Sequence, residues 1–231
     1  MITTKAEFRL EKKISDTLFL LSVKLQRYKQ WIPGMFIQVS LKERTASEPW
    51  LDGHSFSFAS WGSINALILV RKEGMFTTEL IRRSIEGFTT TVRYPFGDFL
   101  LNSTKNKVFL AGGAGISVFL SYFDFINLSG TDSGDILLFY TAKRKSESIE
   151  NIYSNNIPNF VSVKMFITGA GESGYTGRFT LEDLISTISD LKDKEYFICG
   201  PSNFNSYWKD KLNALGIIPN IEQWENVVET K

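Results

Sequence analysis

The first hundred residues alternate apolar and polar side chains in short runs, which is the pattern of half-buried β-strands. Residues 6–14 and 17–25 form the clearest pair, and the polar residues between them predict the turn of an antiparallel hairpin. One segment, residues 76–85, instead places apolar side chains at helical spacing. Short strands at regular spacing predict a barrel or sandwich. The remaining strand-like runs are residues 35–41, 55–59, 65–71 and 89–94.

The pattern changes after the polar stretch at residues 102–106, where short apolar runs begin to alternate with helical segments. Branched and aromatic residues fill the runs, as is typical of buried parallel strands. Thr180 is placed to cap one helix and Gly216 to end another. We therefore predict two domains, residues 1–104 and 105–231, the second an α/β doubly wound parallel sheet. Its strands are expected at 108–111, 136–142, 161–167 and 196–199, and its helices at 116–127, 181–191 and 202–215.

Composition removes several kinds of chemistry. The chain of 231 residues has one cysteine, Cys199, and one histidine, His54, which excludes a disulfide framework and Cys/His metal sites. This leaves metal sites made of carboxylates alone open, but we predict no metal. The net charge is +1 and no dense basic stripe is present, which argues against nucleic acid as a partner. No apolar run approaches the about 20 residues that span a bilayer. Residues 1–13 lack the apolar core of a signal peptide, so we expect a cytoplasmic protein.

Two glycine-containing turns follow predicted strands of the second domain. Gly112, Gly113 and Gly115 stand between a strand and a helix, where they fit either a cradle for a pyrophosphate or a tight turn, since G-x-G-x-x-G is incomplete. Cys199-Gly200-Pro201 stands in the same position after another strand. Cys199 by itself suits a small buried side chain equally well. Both turns are expected at the carboxyl edge of one sheet, where such sheets bind ligands.

Two segments of the first domain also carry candidate chemistry. Residues 54–60 (HSFSFAS) predict a strand whose even-numbered and odd-numbered side chains lie on opposite faces. Gly74 then opens a helix with Thr77 and Thr78 in its first turn, which predicts either a phosphate site or a capped helix. Each segment taken alone also fits an ordinary strand or helix.

Taken in order, these motifs resemble the ferredoxin reductase superfamily, in which a flavin-binding antiparallel β-barrel precedes a nicotinamide-nucleotide domain. Residues 54–60 stand where that family has R-x-Y-S-x-x-S, and His54 matches the H-P-F-[ST] version of the NADPH oxidase and ferric reductase branch. Ser55 replaces the proline of that branch. The resemblance spans nearly the whole chain. It continues in residues 71–80 (R-x-x-G-x-x-T-x-x-L), 94–99 (YPFGDF), 111–119 (AGGAGISVF) and 199–201 (CGP).

The resemblance implies two cofactors, FAD and either NADPH or NADH. Ser57 and Cys199 would lie beside the reacting rings, and Phe56 would pack against the flavin. A C-terminal aromatic residue covers the flavin in many family members, and Trp224 is the candidate here. Arg144, after the strand at 136–142, would contact the 2′-phosphate of NADPH. The implied flavin phosphate ligands are His54, Gly74, Thr77 and Thr78, and the implied nucleotide ligands are Gly112, Gly113, Gly115, Gly200 and Pro201.

The function that the resemblance implies is an FAD-dependent NAD(P)H oxidoreductase that passes electrons to a ferric chelate, a flavin or a protein. In such an enzyme the protein positions the rings while the cofactor carries the chemistry. Ala114 and Val118 replace a threonine and a proline of the family turn, so a second hypothesis is a non-enzymatic flavin-binding electron-transfer subunit of a larger complex. A nucleotide-binding regulator without flavin is the third.

Overall fold

The computed structural model of the protein describes residues 1–101, 105–131, 134–153 and 157–222. These residues pack into two compact units, one formed by 1–101 and 117–125, the other by the rest. The chain therefore returns to its first unit after entering the second, which the change of pattern near residue 104 does not indicate. The predicted domain boundaries at 1–104 and 105–231 stay a prediction.

The first unit is a nearly closed antiparallel barrel, as the resemblance implies. Its six strands run in the spatial order β4-β3-β6-β1-β2-β5, and an isolated bridge between Phe58 and Ile68 links the two ends of that order. Strand β1 has a neighbour on each side, whereas β4 has one long partner, β3. The elements are β1 (Ile2–Lys13), β2 (Leu18–Leu25), β3 (Phe36–Val39), β4 (His54–Ser57), β5 (Asn65–Arg71), α1 (Gly74–Glu86) and β6 (Phe88–Phe96).

The barrel core follows the alternation of the sequence. Phe8, Val23 and Val92 are fully buried, and α1 adds Leu80 and Ile81 to the same cluster. Burial of such side chains is worth roughly 1.5–3 kcal/mol each, which is the main source of the unit's stability. Strand β4 ends two residues before the predicted end at residue 59, because the chain passes from β3 to β5 there: Phe58 forms an isolated bridge with Ile68, and the Ala59 amide donates to the Leu67 carbonyl oxygen (2.7 Å).

The second unit contains the doubly wound sheet that the sequence predicts. All its strands are parallel and lie in the order β11-β10-β7-β8-β9. Residues 117–125 of α2 pack with the first unit, where the Ser121 hydroxyl donates to the Ser60 carbonyl oxygen (2.9 Å). The elements are β7 (Lys107–Gly112), α2 (Ser117–Ser129), β8 (Ile136–Ala142), α3 (Ile149–Ile152), β9 (Val161–Ile167), α4 (Leu181–Thr187), β10 (Glu195–Cys199), α5 (Ser202–Ala214) and β11 (Asn220–Ile221).

The ends of α4 and α5 test the sequence-based helix boundaries. Thr180 caps α4 through a capping box, in which Thr180 and Asp183 each accept from the other's backbone N–H. The predicted end of this helix at residue 191 is wrong, because the Thr187 hydroxyl bonds back to the Asp183 carbonyl oxygen and Ile188 is extended. Gly216 does end α5, with φ of 74° and an amide bonded to the Asn213 carbonyl oxygen.

Tyr196 on β10 carries a buried hydroxyl that has no hydrogen-bond partner in the described part of the chain. Burial raises the pKa of Tyr196 to about 12. We expect Tyr196→Phe to stabilise the protein by about 1 kcal/mol at pH 7, because it removes an unpaired polar group. The wild-type protein loses stability as the pH rises from about 10 toward 12, since the folded state disfavours the phenolate, and the variant lacks this loss.

Urea titrations at pH 7 and across the alkaline range measure both effects. Tyr140→Phe is the matched control, because the buried Tyr140 hydroxyl donates to the Glu147 carbonyl oxygen (3.0 Å) and its removal is expected to destabilise the unit by about 1 kcal/mol. Equal destabilisation by the two substitutions contradicts an unpaired Tyr196 hydroxyl.

Candidate functional site

The predicted residues of β4 and α1 lie together in the first unit. The His54 ring stacks on Phe76, with centroids 3.8 Å apart and planes inclined by 13°. Phe56, two residues further along β4, lies 6.3 Å from the same Phe76 ring. His54 is exposed and Phe56 is buried, so the cluster runs from the surface into the barrel. The sequence analysis missed Phe76, which stands at a variable position of the 71–80 motif.

The start of α1 has no side-chain cap for its first backbone N–H groups. Gly74 has φ of 79°, and Glu73 before it gives no side-chain cap. The Thr77 hydroxyl donates to the Glu73 carbonyl oxygen (2.7 Å), and the Thr78 hydroxyl donates to the Gly74 carbonyl oxygen (2.8 Å). Both hydroxyl protons are therefore used within the first turn. The first amides of a helix have no partner inside it, so they are the groups that can hold a phosphate here.

Ser57 offers a buried hydroxyl without an acceptor. The residue is 3% exposed, and its Oγ has no hydrogen-bond partner among residues 1–101, 105–131, 134–153 and 157–222. Phe36 lies opposite Ser57 on β3 and stacks on Phe96 at 5.6 Å. Side chains of directly paired residues share one face of a sheet. The hydroxyl thus lies on the same face as an aromatic pair, in the environment that a flat polar ring requires.

In the second unit, the two glycine turns lie side by side at the carboxyl edge of the sheet. Strands β7 and β10 are neighbours, with Ala111 opposite Cys199. A Cβ added to Gly200 would lie 3.1 Å from the Gly112 Cα, and one added to Gly115 would lie 2.2 Å from the Cys199 carbonyl oxygen. Gly115 is therefore required by the packing of one turn against the other.

The Cys199 side chain is enclosed by its neighbours, whereas a reactive thiol is at least partly exposed. Cys199 is fully buried. Pro201 is the residue directly before α5, which begins at Ser202 as predicted, and its carbonyl oxygen accepts from the Phe204 amide (2.8 Å). The Phe204 ring lies beside Gly112 and Gly200, 2.6 Å from a Cβ built on Gly200. The sequence analysis missed Phe204, because its ring faces the turns only through the fold of α5.

Two further residues complete this edge of the sheet. Thr141 lies opposite Gly112 on β8, and its buried hydroxyl has no partner in the described ranges. The sequence analysis missed it because one threonine at a strand end gives no signal. Arg144 follows β8 and is half-buried, at the start of a single turn of 3₁₀ helix. Gly113 has φ of 54° in the turn before α2. Trp224, the candidate C-terminal aromatic, lies outside the described residues.

Two features are absent from the described residues. They contain no group of three or more His, Cys, Asp or Glu side chains arranged to hold a metal ion. None of their helices combines the length and apolar character needed to cross a membrane.

Comparison with known proteins gives likenesses along most of the chain, although no family model matches it. The electron transfer component of anthranilate 1,2-dioxygenase from Acinetobacter baylyi is 27% identical over 202 residues, which cover 81% of this chain and 56% of that protein. The chain spans roughly a third to just over half the length of the curated relatives it matches.

Solved structures match the chain over nearly its whole length. A ferredoxin NADP+ reductase from Neisseria gonorrhoeae with bound FAD and NADP superposes with a TM-score of 0.75 at 14% identity, covering 95% of this chain and 97% of that one. The FAD/NAD binding domain of nitric oxide dioxygenase from Vibrio cholerae superposes with a TM-score of 0.74 at 15% identity, covering 94% and 97%. These likenesses establish the fold.

Proposed function

We propose that this chain, which has the ferredoxin reductase-like fold of an antiparallel barrel followed by a parallel α/β sheet, is an NAD(P)H-dependent flavoprotein reductase. The observation that carries the proposal is the buried Ser57 hydroxyl, which has no acceptor in the described chain and lies on the face of the Phe36–Phe96 pair. A hydroxyl donor beside flat aromatic surface suits the ring nitrogen of a flavin. A buried donor without a partner costs about 1–3 kcal/mol, so a ligand that accepts from it also stabilises the fold.

The residues of the first unit would hold the FAD. Phe56 would provide the apolar contact for the flavin, and Ser57 would donate to the ring nitrogen that reacts. His54 and the first amides of α1 would face the phosphates, with Gly74 giving the backbone the conformation that opens the helix. Because the Thr77 and Thr78 protons are committed to the helix, we assign these two residues to shaping the turn.

The residues of the second unit would hold the nicotinamide nucleotide. Gly112, Gly113 and Gly200 leave the backbone of two turns open to a pyrophosphate at the edge of the sheet. Thr141 has a buried hydroxyl available at the same edge. Arg144 after β8 favours the 2′-phosphate of NADPH over NADH. We assign Cys199 a packing role beside the nucleotide site, since its side chain is fully buried.

When bound, the flavin supplies the redox chemistry, taking two electrons with a proton from the nicotinamide and releasing them to an acceptor singly or in pairs. The chain contributes binding, orientation and a hydrogen bond from Ser57. The acceptor we propose is a ferric chelate, a free flavin or a protein. The electron-transfer relative from Acinetobacter supports a protein acceptor, and assays with all three classes distinguish them.

Anaerobic addition of NADPH and of NADH to the FAD-loaded protein is the direct test. We expect bleaching of the visible flavin bands, faster with NADPH. Ser57→Ala is expected to retain FAD and to slow the bleaching at least tenfold, which corresponds to about 1.4 kcal/mol in the barrier. Ser63→Ala, on the loop before β5, is the matched control and keeps the wild-type rate. FAD-loaded protein that neither nucleotide reduces contradicts the proposal.

One observation favours a second candidate, a flavin-binding electron-transfer subunit that does not use a nicotinamide nucleotide. The Phe204 ring lies against both glycine turns, and Ala114 stands between the glycines of the first. If this candidate holds, a reduced protein partner bleaches the flavin while NADPH and NADH do not. Phe204→Ala would then open the turns, and a gain of nucleotide-driven bleaching identifies the ring as the obstacle.

A further inference from the structure

The segment between β3 and β4 covers the outer face of the barrel. The Arg44 amide donates to the Thr91 hydroxyl (3.0 Å), and the Arg93 guanidinium donates to the carbonyl oxygens of Ala46 (2.8 Å) and Glu48 (3.1 Å). Thr91 and Arg93 lie on β6, so these bonds fasten residues 44–48 of the segment over that strand. Buried side-chain nitrogens of Arg44, Trp50 and Arg93 lie where the segment meets the sheet, and we call this place the enclosed region.

This region lies on the opposite face of the sheet from His54 and Phe56, and on the same face as Ser55 and Ser57. Gln38 on β3 is paired with Arg93 on one side and with Ser55 on the other, so the three side chains share the outer face. Val39, the next residue of β3, is paired with His54 and is buried in the barrel core. Because successive side chains of a strand alternate between faces, His54 and Arg93 point away from each other.

Three N–H donors in the enclosed region have no acceptor among the described residues. Trp50 is 7% exposed, and its indole N–H is unpaired. The Arg93 guanidinium carbon lies 4.5 Å from the centre of the Trp50 ring, and the Arg93 Nε is also unpaired. The third donor is the Nε of Arg44, whose Nη2 contacts Asp52 at 2.7 Å.

Arg44 interacts with two carboxylates in this region, Asp52 by an ion pair and Glu48 through its charge. Burial of the Asp52 carboxyl opposes its ionised form, but the hydrogen bond and charge of Arg44 outweigh this and lower its pKa, so the two form an ion pair. Arg93 has no carboxylate within ion-pair distance in the described chain and contacts only carbonyl oxygens and the Trp50 ring. Each buried donor left unpaired costs about 1–3 kcal/mol, and a charged one more. An anion that accepts from these donors would relieve that cost.

We propose that Trp50, Arg93 and Arg44 form a binding site for a phosphate group on the outer face of the barrel. Phosphate is favoured over a carboxylate because the Nη2 of Arg93 is already used by two carbonyl oxygens, which removes one arm of the fork that binds a carboxylate in bidentate fashion. A tetrahedral group offers separate oxygens to donors from three side chains. The source is free phosphate or the phosphate of a small metabolite.

The full-length protein is tested with inorganic phosphate against sodium chloride at equal ionic strength, following the midpoint of thermal unfolding and indole fluorescence. We expect a saturable rise in the midpoint of roughly 2–5 °C, since a ligand that binds only the folded state stabilises it. Phosphorus NMR line broadening reports binding directly. Repeating the titration with 5′-AMP and with acetate separates the sources, because a free-phosphate site responds to phosphate alone.

Two variants and a control make the result specific. Trp50→Phe keeps a ring under Arg93 but removes the N–H, and we expect at least fivefold weaker phosphate binding. Arg93→Gln is expected to abolish it. Trp61→Phe is the control, because the Trp61 indole N–H already donates to the Trp31 carbonyl oxygen (2.7 Å). We expect the Trp61→Phe protein to bind phosphate with wild-type affinity.

Three outcomes overturn the proposal. They are a midpoint that does not respond to phosphate, a response that grows without saturation as a general salt effect does, and equal phosphate affinity in the wild-type, Trp50→Phe and Arg93→Gln proteins. Flavin retention is measured in parallel. The site is on the other face from His54, so Arg93→Gln leaves flavin retention unchanged.

Discussion

Gly115→Ala is expected to destabilise the second unit by about 3 kcal/mol, the upper range for forcing an atom into a packed interior. The added Cβ would lie 2.2 Å from the carbonyl oxygen and 2.5 Å from the carbonyl carbon of Cys199. Backbone atoms at the end of a central strand cannot move aside as a flexible side chain can. The strand β10 and the turn after β7 must therefore separate, which disturbs the sheet where the nucleotide would bind.

Denaturant unfolding measured by far-ultraviolet circular dichroism tests this result. Gly130→Ala at the other end of α2 is the matched control, because Gly130 has φ of 64° but nothing lies within 4 Å of its added Cβ. We expect it to cost about 1 kcal/mol through backbone strain alone. If Gly115→Ala costs no more than Gly130→Ala, the two turns do not pack as described.

His54→Ala is expected to weaken FAD retention roughly 10- to 100-fold, the size expected when about 1.5–3 kcal/mol of a charged hydrogen bond is lost. The substitution also removes the ring that stacks on Phe76 at 3.8 Å, so the cluster at the start of α1 loses one wall. His54→Arg is expected to restore retention, because a guanidinium is always charged and binds phosphate in bidentate fashion.

Equilibrium dialysis against FAD, with the visible spectrum as readout, measures retention in these variants. Arg82→Ala is the control, since Arg82 lies on the exposed side of α1 and pairs only with Glu79 in the described structure. It is expected to retain FAD like the wild-type protein. If His54→Ala does the same, His54 has no part in the phosphate site and the assignment of this end of β4 is wrong.

Local pattern predicts most of this fold, because strands and helices here follow their own periodicity. The limits of β5, β8 and β9 match the sequence-based expectation, and Thr180 and Gly216 end their helices as expected. The error in α4 has a local cause too, since the Ser186 and Thr187 hydroxyls both donate to the Asp183 carbonyl oxygen and compete with the backbone hydrogen bonds of the helix.

Sequence pattern does not predict which distant segments pack against each other. Phe76 meets His54 only because α1 returns to β4, and Phe204 meets Gly112 only because α5 starts beside β7. The close approach of Gly115 to Cys199 depends on β7 and β10 being neighbours, although the registered pair Ala111 and Cys199 lie 88 positions apart in the chain. Sequence pattern does not predict the enclosed region around Trp50 either, because Arg93 reaches Trp50 only through the packing of the β3–β4 segment on β6.

Strands β1 and β4 differ in how many neighbours hold them, so substitutions in the two strands have different structural costs. Strand β1 is held on both sides by β2 and β6, so substitutions along it disturb two ladders at once. Strand β4 shares one ladder with β3, and its first residue, His54, is exposed. The candidate motif can therefore drift at His54 and Ser55 while the barrel persists. A chain of this architecture can change the residues of its candidate site at low structural cost, and the differences between residues 54–60 and the motif that they resemble are of this kind.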